Sequence, residues 1–186
     1  KLTPMNHMPP SPYRRGAAQG MFFGIYLSIL FLASVYSVSY PLMGLVGMLL
    51  VLGVPFYIYR CLRATFVADG GLTPFSSLWM QGRMGFLCGA RSQGVVAVIY
   101  LKWVDPTFII TQLRTVISFY DGMPSPEAKE MAKVLSNMIE ANLVPSAASM
   151  VVEMIFLSVF SGSLLSLLMS ALARIGRVKR PPTAPP

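Results

Sequence analysis

The sequence predicts an all-α, polytopic membrane protein. It has four transmembrane helices, both termini on the cytoplasmic side (N-in/C-in), and two amphipathic helices in the outward-facing loop between spans three and four. Three observations carry this. Of 186 residues, 54% are hydrophobic and only 12% charged, with a mean hydropathy of +0.61, whereas a soluble domain carries about 25% charged residues. Apolar blocks long enough to cross a hydrocarbon core recur four times. Basic residues collect at the ends of these blocks on one side.

Residues 1–19 are expected to be a flexible cytoplasmic tail. KLTPMNHMPPSPYRR holds four prolines without helical period and ends in Arg14-Arg15. His7, the sole histidine, lies in it and reads as solvated. Residues 20–174 form the predicted membrane domain. Its first apolar block lacks a small-x-small cleavage site and reads as an anchor. Span one runs from about residue 21 to 39, near the thickness of a hydrocarbon core at ~1.5 Å per residue. After the turn at Tyr40-Pro41, span two covers about 42–59, so the two form an antiparallel hairpin. Gly53 and Pro55 predict a packing kink late in span two, because proline removes a backbone donor.

Arg60 and Arg63 close span two, and ADGGLTP supplies a turn. A third helix starts at Phe75, with its span at about 83–104; its first turns, with Trp79 and Arg83, are expected at the interface. Lys102 and Trp103 mark the far interface. Asp105-Pro106 and Ser125-Pro126 each read as an N-cap followed by proline at the first helical position. They open two helices in an external segment at 105–143. In the first, Ile109, Leu113, Val116, Ile117 and Tyr120 share a face; in the second, Ala128, Met131, Leu135, Met138 and Ile139 do. Span four covers about 145–172, and 175–186 is a basic, proline-rich cytoplasmic tail expected to be extended.

Orientation follows from charge. Ten basic residues (Lys1, Arg14, Arg15, Arg60, Arg63, Arg83, Arg174, Arg177, Lys179 and Arg180) fall on one side, four on the other, and Arg91 lies inside a span. The positive-inside rule makes the richer side cytoplasmic, which in a bacterium places the protein in the inner membrane. The net charge of +8 flanks apolar runs and is not interleaved with exposed aromatics, so nucleic acid is not an expected partner. Cys61 and Cys88 offer neither a metal spacing nor a disulfide framework. No Ser-His-Asp or Cys-His set, phosphate loop or paired metal ligand is present, so no catalytic residue, metal or cofactor is expected.

Two patterns inside the spans stand out. Ser158, Gly162, Ser166 and Ser170 recur every four residues and line one helix face, with shorter versions at Gly20, Gly24 and Ser28 and at Gly85, Gly89, Gln93 and Ala97. Such faces serve packing within the bundle or a seam with a second copy or partner. The sharper signal is Arg91, about 18 Å inward from Trp103 and so near mid-depth. A charge there must face protein or a wet cavity. Glu153 is the one acidic residue inside a span, which makes Arg91 and Glu153 an expected pair, with Gln93 and Ser92 helping to solvate it. The same residues could instead receive an anionic lipid or substrate.

DGGLTPFSSLWMQG, YLKWVDP and SGSLLSLLMSALAR together resemble the four-span inner-membrane proteins of Bacteroidetes grouped as a domain of unknown function. The resemblance extends over Gly20 to Arg174; Arg91 and the basic end are not part of that pattern. It implies that the gene neighbours a glycosyltransferase of the polyprenyl-phosphate-sugar synthase kind. On that basis the expected role is a non-catalytic accessory or scaffolding subunit that anchors or regulates such an enzyme. Its partners would be membrane lipids and either a membrane-associated protein or further copies of itself. A small oligomeric transporter or lipid-handling protein is the alternative.

Overall fold

The computed structural model describes residues 11–175. The expected tail up to residue 10, with His7, and the basic end at 176–186 lie outside the described residues. Among the described residues there are six α-helices, a five-residue π-helix and no strand. In chain order they are α1 (Pro12–Tyr36), α2 (Pro41–Ala68), α3 (Phe75–Ile99), the π-helix (Tyr100–Val104), α4 (Phe108–Asp121), α5 (Pro126–Glu140) and α6 (Ala147–Arg174). Four segments are long and apolar enough to cross a membrane: α1, α2, α3 with its π-helical continuation, and α6. This is consistent with a multi-pass membrane protein.

Three helix starts or ends that differ from the sequence expectation have a local reason. α4 opens at Phe108 with Thr107 as its N-cap, where Asp105-Pro106 is the expected opening, because Asp105 Oδ1 accepts from the Thr107 N–H and the two form a turn ahead of the helix. α1 starts at Pro12, well before Met21, because Ser11 caps it: the Arg14 backbone N–H donates to Ser11 Oγ, and proline fills the first turn. α2 continues past Tyr59 to Ala68, since no glycine or proline follows Pro55 until Gly70. There the chain leaves the helix through Gly70 and Gly71, with φ of +64° and +81°, and the Gly71 N–H returns to the Phe66 carbonyl at 2.8 Å. Positive φ is the glycine-favoured way to end a helix.

The described residues divide into two compact units, 11–93 with 155–175, and 94–154. In the first, α1 and α3 run parallel and approach through glycines. A Cβ at Gly20 would lie 2.7 Å from Cys88 Cβ and 2.8 Å from the Gly85 carbonyl oxygen, and one at Gly16 2.6 Å from that of Gln81. No larger residue fits without parting the backbones. α2 returns antiparallel to α1, tied where the Tyr26 hydroxyl donates to the Leu50 carbonyl. α6 runs antiparallel to α3: Gly82 faces Ser166, Gly162 faces the Phe86 ring, and Trp79 Nε1 donates to the Ser163 carbonyl at 3.1 Å. Phe23, Leu27, Ile58, Leu62, Phe66, Leu78, Phe86 and Ala173 form the core. Phe23 stacks on Tyr57 at 5.2 Å and meets Phe86 edge-on at 4.9 Å. In the first turns of α3, Leu78 is buried in this core and Gln81 is buried beside it, while Trp79 is half-buried and Arg83 exposed.

The second unit holds the end of α3, the π-helix, α4, α5 and the start of α6. The Asp105 N–H reaches back five residues to the Tyr100 carbonyl, closing the π turn, and Tyr100 meets Phe108 edge-on. α4 and α5 pack on each other, yet α4 has no buried residue and α5 buries only Ala128 and Ala132. On the apolar face expected for α5, Ala128 is buried and Met131 exposed; Ala132, outside that set, is buried as well.

Candidate functional site

The end of the first unit where α1 starts and α2 and α6 finish gathers its polar chemistry. Gln81 on α3, 2% exposed, donates through Nε2 to Gln19 Oε1 on α1 (2.8 Å) and to Thr65 Oγ1 on α2 (2.9 Å). Thr65 in turn donates to the Cys61 carbonyl within α2. A buried amide is tolerated where its hydrogens are used, so Gln81 fastens three helices at one point. Nearby, Arg15 grips Asp69 in a two-pronged ion pair, Nη1 to Oδ2 at 2.7 Å and Nη2 to Oδ1 at 2.9 Å. Thr73 Oγ1 donates to the same carboxylate at 2.6 Å. Arg15, and after it Thr73, hold the Asp69 carboxyl below its ordinary pKa, against a smaller opposing effect of burial. These groups line an open cleft of about 400 Å³ with Ser77 and Pro74. Arg15 is already matched by Asp69, so the cleft is polar without carrying a spare cation.

The remaining cations of this end are less occupied. Arg63 Nη1 donates to the carbonyls of Ala173 (2.7 Å) and Ile175 (3.3 Å) at the finish of α6, and its guanidinium lies 5.7 Å from the centre of the Phe66 ring. Arg83 lies 5.1 Å from the Trp79 ring, while Arg14, Arg60 and Arg174 are exposed. Asp69 is the sole acidic residue in the sequence of this unit.

The residues singled out in the sequence fall as follows. On α6, Ser158 is half-buried, while Gly162, Ser166 and Ser170 are buried. Ser170 donates to the Ser166 carbonyl; the Ser166 hydroxyl, pressed against Gly82, has no hydrogen-bond partner. Gln93 is buried. Ser92, expected to help solvate Arg91, donates to the Cys88 carbonyl of its own helix at 3.1 Å. Arg91 is exposed and lies on one stripe of α3 with exposed Leu87 and Val95, four residues to either side. Glu153, in the second unit, is exposed. Among the described residues, no group of three or more His, Cys, Asp or Glu side chains could hold a metal.

Sequence reasoning missed Gln19, Thr65 and Gln81 as a set, and Asp69 as Arg15's partner. The available signal was Gln19 and Gln81 as amides near the same ends of two glycine-marked helices; their meeting depends on the parallel register of α1 and α3, which spacing within one helix does not give.

A family described as Protein of unknown function (DUF4199) matches residues 19–174. The chain belongs to this family. The matched region takes in α1 from Gln19 through the last residue of α6, and so includes Gln19, Thr65, Gln81, Arg91 and Glu153 alike. No curated protein and no solved structure matches the chain.

Proposed function

We propose that this protein is a non-catalytic accessory or scaffolding subunit of a bacterial inner membrane, both termini cytoplasmic, that holds a membrane-associated enzyme through contacts within and beside the bilayer. The observation that carries the reading is Arg91: a cation midway along a membrane-length helix, exposed between Leu87 and Val95 on an apolar stripe. A charge so placed needs a counter-charge or water, and a partner's transmembrane segment supplies one. The buried polar groups of the first unit support the same reading, since Gln81, Gln19 and Thr65 bind one another across helices. A polyprenyl-phosphate glycosyltransferase is the enzyme class that the family resemblance suggests.

The alternative, a small oligomeric transporter or lipid-handling protein, would have Arg91 line a wet seam between copies. A third arrangement pairs Arg91 with Glu153 of the same chain. Purification of the tagged chain from its native membrane in mild detergent, with the mass of the intact complex measured, separates the three. The accessory reading expects a stoichiometric larger partner that Arg91→Leu releases while the chain stays folded. A homo-oligomer lost in Arg91→Leu favours the transporter. A lone monomer that Arg91→Leu destabilises, and Arg91→Leu with Glu153→Leu restores, assigns the charge to an internal pair.

A further inference from the structure

An apolar groove of about 490 Å³ runs between α2 and α6 in the first unit, lined by Pro55, Phe56, Tyr59, Met169, Leu172 and Ile175. Phe56 is 73% and Ile175 68% exposed. Both helices are long and apolar enough to lie in a bilayer, so something apolar must cover these side chains. What distinguishes the groove from the rest of the apolar surface is its end. Arg63 donates to the carbonyl of Ile175, itself a wall of the groove, which places a guanidinium at the mouth. Only Nη1 makes these bonds, and the guanidinium carbon lies 5.7 Å from the centre of the Phe66 ring. Arg60 follows Tyr59 directly, and Arg174 lies between Ala173 and Ile175, the two residues whose carbonyls Arg63 holds. From Phe56 to Arg63 is about 10 Å of helix. The site therefore runs from an apolar trough to a cluster of cations within the upper reach of one lipid, in the same order as chain and phosphate.

We propose that this groove holds one anionic phospholipid of the bilayer, its acyl chain against Phe56, Met169 and Leu172 and its phosphate on Arg63, with Arg60 and Arg174 beside it. Charge selects the occupant. The only carboxylate in the sequence of this unit, Asp69, is already gripped by Arg15, so this unit has no carboxylate to spare for the cations at the groove mouth. Guanidinium forks favour phosphate geometry, and clusters of basic residues beside spans draw anionic lipids. The proposal stands apart from the accessory role and survives its failure.

The test is native mass spectrometry of the full chain in mild detergent, titrated with dioleoyl phosphatidylglycerol or dioleoyl phosphatidylcholine. One phosphatidylglycerol should be retained about tenfold more strongly than phosphatidylcholine, and less strongly at high salt. Arg60→Gln, on an exposed side chain, should weaken the preference several-fold, and Arg63→Lys should do so while keeping a donor for the α6 carbonyls. Leu172→Trp, which fills the groove, should lower retention of both lipids with the thermal melt unchanged. Glycerol 3-phosphate, which has the phosphate and no chain, should leave no adduct. Equal retention of the two lipids, or undiminished retention in Leu172→Trp, overturns the site. So does a lipid-free dimer that Leu172→Trp dissociates, since a second copy then covers the groove.

Discussion

Asp69 shows how a single residue ties helix ends together. Its carboxylate takes both prongs of Arg15 and the hydroxyl of Thr73, joining the start of α1 to the loop after α2. Because its pKa is lowered in the fold, the sign is fixed. The pair contributes fully above the unfolded carboxylate value of about 3.9, and the contribution is lost as pH falls through the lower folded value. Asp69→Asn should therefore melt earlier than the parent at pH 7, by about 1 kcal/mol for a partly exposed pair. Melts in detergent at decreasing pH should show the two converging below about pH 4; a difference that persists undiminished in strong acid would rule out the ion pair as its source. Gln81 makes the complementary case. Gln81→Leu removes the donor to half-buried Gln19 and buried Thr65, and should cost about 1 kcal/mol. Gln81→Glu should cost more, as it places a carboxylate in a buried position.

At the scale of the element, small residues decide which helices touch. α1 meets α3 through Gly16, Gly20 and Gly24, and the obstacles to a side chain at Gly16 and Gly20 include backbone, which cannot rotate away. Gly20→Val should destabilise the fold by roughly 1–3 kcal/mol, visible as an earlier melt. Gly44→Ala serves as the contrast: the nearest atom to its new Cβ is Ser37 Cβ at 3.5 Å, an ordinary contact, so the melt should not fall. Equal losses at the two sites would mean that close approach is not what the glycines provide. The glycine pattern was readable in the sequence at Gly20, Gly24, Gly85 and Gly89, because a four-residue repeat marks one face. What it touches was not readable, since register between helices is a long-range property. Gly16 was hidden by its place in a stretch whose prolines suggested an unstructured tail; the Ser11 cap overrode that composition. α2 runs past Arg60 and Arg63 to Ala68, because charge at a span's end does not stop a helix, whereas Gly70 and Gly71 do.

For the whole molecule, the exposed apolar surface is consistent with lipid as the solvent. Phe22, Ile25, Leu45, Met48, Leu49, Phe156, Phe160 and Leu168 are all more than half exposed, on three helices long and apolar enough to cross a bilayer. A soluble monomer does not leave so much apolar surface open. That much followed from composition, because a charged fraction of 12% cannot clothe a water-facing surface. In the first unit the start of α1 and the ends of α2 and α6 meet, through Arg15 with Asp69 and Arg63 with Ala173, so the basic residues there share one end. The accessory role requires that end to face the cytoplasm. The direct measurement is labelling of single cysteines by a membrane-impermeant maleimide in intact and lysed cells, with Cys61 and Cys88 replaced by serine. Ser11→Cys and Leu72→Cys should react only after lysis, and Gly122→Cys and Leu143→Cys already in intact cells. Labelling of position 11 or 72 in intact cells, or protection of 122 and 143, would contradict the account.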